Sequence, residues 1–228
     1  KSERIETPMR LVCLDFETTD LDTSTARIVE VGVVSLSGIS QRPATPTFTT
    51  LIDTFADPGI IIPPSASRVH GINDAKATMA PPTRDVLVRL LRILENFDAV
   101  VGFNIDDYDW RVLAAECRRW GLAAEFVALH SRLVIIDGMR LLPRRQSLVA
   151  VAASRFGDEG RFDAHSAAAD ATRTGRGLSV AVLGTGSSLV GAHACRPRGV
   201  APPLTISSTR QRSRWDRRNR ARLSKSWR

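Results

Sequence analysis

Cysteine is scarce in this chain. Cys13, Cys117 and Cys195 lie far apart with no paired spacing, which argues against both a disulfide framework and a zinc knuckle. Cys13 stands within the run Leu11-Val12-Cys13-Leu14 and reads as a small buried hydrophobe. Long hydrophobic runs are missing as well: no stretch approaches about 18 uncharged apolar residues. The opening KSERIETPMR is charged, with no apolar run of the signal-peptide kind ahead of the first candidate strand. We therefore expect a soluble, cytoplasmic protein without a membrane partner. Acid is nearly absent from the C-terminal part, where Arg173 to Arg228 holds 13 Lys and Arg residues against the single acid Asp216. The remaining 19 basic and 23 acidic residues make the body mildly acidic despite the net charge of +8. Overall basicity is thus no argument that the globular part binds a polyanion; that case has to come from a site.

A length of 228 residues, 43% of them hydrophobic, allows one substantial core and is short for two domains of ordinary size. Arg10–Phe16 and Arg27–Leu36 are apolar runs of strand length separated by the polar region Thr18–Ala26, and Thr47–Asp53 is a third candidate after the loop Gln41–Pro46. These three read as an antiparallel meander. Asp57-Pro58-Gly59 and Pro63-Pro64 mark an irregular connection. Behind Pro81 and Pro82, Val86–Phe97 has apolar residues at helical spacing, followed by a buried strand at Ala99–Phe103, a helix at Trp110–Trp120 ended by Gly121, and a strand at Leu133–Ile136. Ser147–Phe156 and Ser166–Thr172 read as short helices. Strands first, then alternating helix and strand, give an α/β class: a mixed β-sheet flanked by helices. From about Gly175 onward no apolar period is sustained, and although Val180–Leu183 could extend the last helix, Gly175 and Gly177 weigh against it, so residues 1–174 are expected to form the domain and 175–228 a basic, disordered tail. No internal repeat is present.

Three segments carry chemistry. Leu14-Asp15-Phe16-Glu17-Thr18 ends the first strand, and residues two apart in a strand share a face, so Asp15 and Glu17 stand side by side. Two such carboxylates repel unless a cation lies between them, and oxygen donors without clustered Cys or His favour Mg²⁺ or Mn²⁺. Solvated acids at a strand end are the plain alternative. In Val101-Gly102-Phe103-Asn104-Ile105-Asp106-Asp107-Tyr108-Asp109-Trp110 a strand gives way to a helix, the position where α/β sheets bind ligands. Any of Asp106, Asp107 and Asp109 could face the site there, with N-capping the plainer role for Asp106 or Asp107. The third is Asp163-Ala164-His165-Ser166-Ala167-Ala168-Ala169-Asp170. His165 is suited to take a proton from water and Asp170 to complete a metal site, and the small residues between them would let a substrate backbone approach. His130 and His193, with no carboxylate context, read as structural or exposed, and Trp110 and Trp120 as core residues. Trp215 and Trp227, set among arginines, suit stacking on bases, against the plainer reading of a solvated basic tail.

Taken together, Asp-x-Glu-Thr-Thr, then Asn104 with Asp109, then His-x-Ala-x-x-Asp resemble motifs I, II and III of the DEDDh family of 3'→5' exonucleases. That family has an RNase H-like fold and includes the epsilon proofreading subunit of bacterial DNA polymerase III. Arg27-Ile28-Val29-Glu30-Val31-Gly32 and Pro63-Pro64 with Val69-His70-Gly71-Ile72 add to the likeness, which covers about Met9 to Asp170. Two departures stand out: Phe103 replaces the frequent His of motif II, and one extra residue separates Asn104 from Tyr108-Asp109. Asp109 matches best, with Asp107 as alternate. The resemblance implies two ions, Mg²⁺ or Mn²⁺, held by Asp15, Glu17, Asp170 and Asp109, with Asp15 shared between them and His165 as general base. It implies substrate contacts from Phe16, Thr18 and Asn104, and nucleoside 5'-monophosphates as products. The implied partners are single-stranded DNA or RNA 3' ends, and a DNA polymerase. The alternatives are an exonuclease of the same fold acting on RNA or oligonucleotides, and a degenerate module that binds nucleic acid without cutting it.

Overall fold

Five strands in the order β3-β2-β1-β4-β5 build one sheet in the computed structural model, which describes residues 9–38, 46–141 and 166–185, with side chains up to 177. They are β1 (Leu11–Thr18), β2 (Ile28–Ser37), β3 (Thr47–Phe55), β4 (Ala99–Gly102) and β5 (Val134–Asp137). The first three form the antiparallel meander expected from sequence, and β4 and β5 join on the other side of β1 as parallel strands. The helices are α1 (Pro64–His70), α2 (Asp74–Ala77), α3 (Thr83–Leu94), α4 (Asp109–Arg119), α5 (Ala123–Arg132) and α6 (Ala167–Thr185). This is the mixed sheet flanked by helices of an RNase H-like fold.

Central β1 explains the two-sided core. Its residues Val12, Leu14 and Phe16 join the large cluster built with α3, α4 and α5, whereas Leu11 and Cys13 join a smaller cluster with Val34, Val101, Ile136 and Ala171 of α6. Period two then carries Asp15 and Glu17 onto the α6 face. The apolar ridge of α3, with Val86, Leu87, Leu90, Leu91 and Leu94 all buried, is the one read from its spacing.

Three features differ from the sequence reading. Pro63-Pro64 opens α1 instead of an irregular connection, because Pro64 occupies the first turn, where a missing N–H costs nothing. Helix α5 has no counterpart among the expected elements; only Phe126 and Leu129 within it are buried, too few to register as a period. Helix α6 runs through Gly175 and Gly177 to Thr185 instead of ending at Thr172. A Cβ on Gly175 would lie 2.8 Å from Cys13 Sγ and 2.8 Å from the Phe48 ring. Glycine there permits close packing on the sheet, a gain that offsets its poor helix propensity. The expected helix at Ser147–Phe156, His165, His193, Cys195 and the basic segment from 186 onward lie outside the described residues. Among those described, no helix is long and apolar enough to cross a membrane.

Candidate active site

The site forms where the end of β1 meets the N-terminal turns of α4 and α6. In the β1–β2 register Asp15 faces Gly32 and Glu17 faces Glu30. A Cβ on Gly32 would fall 2.1 Å from the carbonyl carbon of Ala167, so α6 rests directly on the β2 backbone. Ala167 is fully buried in that contact, and Ala171 is fully buried against Leu11 and Cys13. The small side chain of Ala167 in motif III thus serves the approach of helix to sheet. Glu30 Oε2 accepts the N–H of Ala167 at 3.1 Å, satisfying a donor that the first turn of a helix leaves without an intrahelical partner. Seated this way, α6 brings Asp170 to the β1 carboxylates: ligand oxygens of Asp15, Glu17 and Asp170 all lie within 4.8 Å of one another.

Asp109 joins them from the first turn of α4. It is 4% exposed, and its Oδ1 accepts the N–H of Phe16 at 3.1 Å. Asp106 and Asp107 face Arg140 instead, at 2.6 and 3.9 Å, and Asp107 also meets Arg111 at 3.3 Å. Neither caps α4, whose preceding residue is Tyr108. The structure thus brings Asp109 to Asp15 and leaves the alternate, Asp107, on an arginine-paired surface. The extra residue of motif II is absorbed in a tight turn where Asn104 takes φ of 63°, a left-handed conformation that asparagine tolerates. Asp137, at the end of β5, holds this turn: its Oδ1 accepts the N–H groups of Asn104 at 2.9 Å and Met139 at 3.0 Å.

Among the expected substrate contacts, the Phe16 side chain is buried in the core, so only its backbone borders the site. The Thr18 hydroxyl bonds to Tyr108 and donates to the Asp20 carbonyl at 3.1 Å, fastening the strand end to the turn before α4. His130 is structural, its Nδ1 accepting the Trp110 indole N–H at 2.9 Å, and His70 Nδ1 accepts the Ile72 N–H at 3.1 Å. Sequence reasoning did not single out Glu30 as a site residue, nor Asp137, Tyr108 or Arg173. Only an acid at the end of the apolar run Leu133–Ile136 offered a signal for Asp137. Arg173, one turn beyond Asp170 on α6 and 5% exposed, is ion-paired to Asp170.

Packing four carboxylates together is costly in water-poor surroundings. Burial, with the charges of Asp109, Asp170, Glu17 and Glu30, holds the Asp15 carboxyl well above the usual range. Burial, then Asp170, Glu30 and Asp109, push Glu17 up to about 8. Asp109 is pushed up to about 7, by burial first and by Asp137 next, against the opposing backbone hydrogen bonds. Such a cluster is stabilised by a cation, and its all-oxygen donor set fits a hard divalent ion.

The exonuclease family known by RNase T matches residues 12–176. No curated protein matches the sequence. Escherichia coli exonuclease I in complex with a dA16 oligonucleotide has a similar structure at 14% identity, with a TM-score of 0.63 over 78% of this chain and 42% of that one. The zinc-bound form of the exonuclease I–single-stranded DNA complex from the same organism gives 13%, 0.61, 79% and 42% in the same order. A product-bound exonuclease I gives 13%, 0.58, 78% and 44%. The chain thus spans less than half the length of these proteins. Those likenesses show the fold, and the matched family covers every described carboxylate of the site. The chain belongs to the exonuclease family, as a nuclease of the DEDDh type with an RNase H-like fold.

Proposed function

We propose that the chain is a metal-dependent 3'→5' exonuclease that releases nucleoside 5'-monophosphates from single-stranded DNA ends. The observation that carries this reading is the convergence of Asp15, Glu17 and Asp170 within 4.8 Å, with Asp109 beside them. Mg²⁺ or Mn²⁺ would be held by Asp15, Glu17 and Asp170, and by Asp109 directly or through water. Bound divalent ions acidify water at neutral pH and neutralise charge developing on a leaving 3' oxygen. His165, two residues before α6, takes the proton of the attacking water. Thr18 and Asn104 border the terminal nucleotide, and the rigid strand end fixes the line of attack on the phosphodiester.

DNA is favoured as substrate because similar structures of exonuclease I contain dA16 and dT13 oligonucleotides. The division into an exonuclease domain and a basic tail belongs to the same proposal, with the tail adding salt-sensitive attraction for the strand. The test compares single-stranded DNA and RNA, each 3'-labelled, with wild type, Asp15→Ala and His165→Ala. Metal-dependent release of monophosphates from DNA, lost in both variants, supports the reading. Faster release from RNA would reassign the substrate, and binding without release would leave a non-catalytic module.

A further inference from the structure

Arg173 is a buried cation placed against a carboxylate that the nuclease reading gives to a metal ion. It is 5% exposed, lies three residues beyond Asp170 on α6, and its guanidinium Nη1 contacts Asp170 Oδ1. Residues three apart on a helix are neighbours, so the pair is set by the helix itself and needs no loop to form it. Among the described residues, Asp15, Glu17 and Asp109 have no ion pair, whereas Asp170 is paired with Arg173.

A guanidinium and a divalent cation seek the same carboxylate lone pairs and repel one another at close range. We infer that Arg173 is a resident counter-ion of Asp170, and that a divalent ion enters by exchanging with it. The inference rests on the metal-centre reading above. Its consequence has a definite sign. Arg173 offsets the charge of Asp170 in the metal-free site and weakens metal binding, so removing its charge tightens binding. A guanidinium that merely oriented Asp170 for the ion would give the opposite sign.

The experiment is a calorimetric titration of Mn²⁺ into the full chain as wild type, Arg173→Gln, Arg173→Met and Arg173→Lys at one ionic strength. The expected result is a Kd lowered on the order of tenfold in the Gln and Met variants, the size of a short-range like-charge contact partly screened by water. The Lys variant keeps the charge and stays near wild type. An unchanged or raised Kd in both neutral variants overturns the inference while the nuclease reading stands. Absence of Mn²⁺ binding in every protein, wild type included, removes both. Circular dichroism checks the fold of each variant. Should the neutral variants not fold, the wild type decides through arginine-selective phenylglyoxal labelling read by mass spectrometry. Faster labelling of Arg173 with Mg²⁺ present supports exchange, and equal labelling overturns it.

Discussion

The carboxylate of Glu30 accepts the N–H of Ala167 at 3.1 Å, joining the second strand to the first turn of α6 across 137 positions of sequence. This bond and the Gly32 contact beside it determine where Asp170 stands. Removing the acceptor in Glu30→Ala leaves a buried donor unsatisfied, with an expected loss of about 1–3 kcal/mol. Glu30→Gln keeps an acceptor oxygen and should lose less. Urea denaturation of both variants measures the difference, and nuclease activity should fall in the same order.

Gly32→Ala tests the close approach directly. A methyl group there meets the Ala167 backbone at 2.1 Å, and backbone cannot rotate away as a side chain would. The expected cost is ~3 kcal/mol or more, at the upper end of overpacking. Denaturation midpoints measure it. A variant as stable as wild type would mean that α6 sits farther from the sheet.

The raised proton affinities fix a pH dependence for the metal-free protein. Glu17, held at about 8 in the folded state, titrates near its ordinary value of about 4.3 when unfolded. Between these values the folded state binds more protons than the unfolded state, so stability falls as pH rises. The contribution is full below the unfolded pKa and lost on passing through the folded one. In EDTA, Tm should decline from pH 5 to pH 8. Glu17→Gln should flatten that decline, and Mg²⁺ should reverse it at pH 8. Differential scanning calorimetry at several pH values provides the readout.

Asp137 keeps the motif II turn closed. Asp137→Ala leaves the part-buried N–H groups of Asn104 and Met139 without their acceptor, which is expected to cost roughly 0.5–1.5 kcal/mol for each bond. Asp137→Asn, with its oxygen turned toward both amides, should retain most of the stability. Hydrogen exchange at Asn104 and Met139 distinguishes the two, since only the Ala variant should exchange quickly.

Much of this site is legible in the sequence because its signals are local. A period of two places Asp15 and Glu17 on one face, and the structure finds Leu11 and Cys13 on that same face. The α3 ridge and the first three strands follow from apolar spacing in the same way. What is not legible depends on contacts between distant segments. Gly175 resembles a helix breaker until Cys13 and Phe48 are seen pressed against it. Motif matching already favours Asp109 over Asp107, but the pairing of Asp106 and Asp107 with Arg140, which keeps both out of the cluster, is a contact between distant segments. Asp137 becomes a support only once β5 lies parallel to β4, bringing its carboxylate to the Asn104 amide.

The most direct test of the central claim is the order of products from a single-stranded DNA labelled at one end, incubated with wild type and Mg²⁺ or with EDTA. The account predicts that a 3' label is released at once as a mononucleotide, that a 5' label persists in a ladder of shortening strands, and that EDTA stops both. Immediate release of the 5' label, internal cuts, or undiminished hydrolysis in EDTA would contradict it.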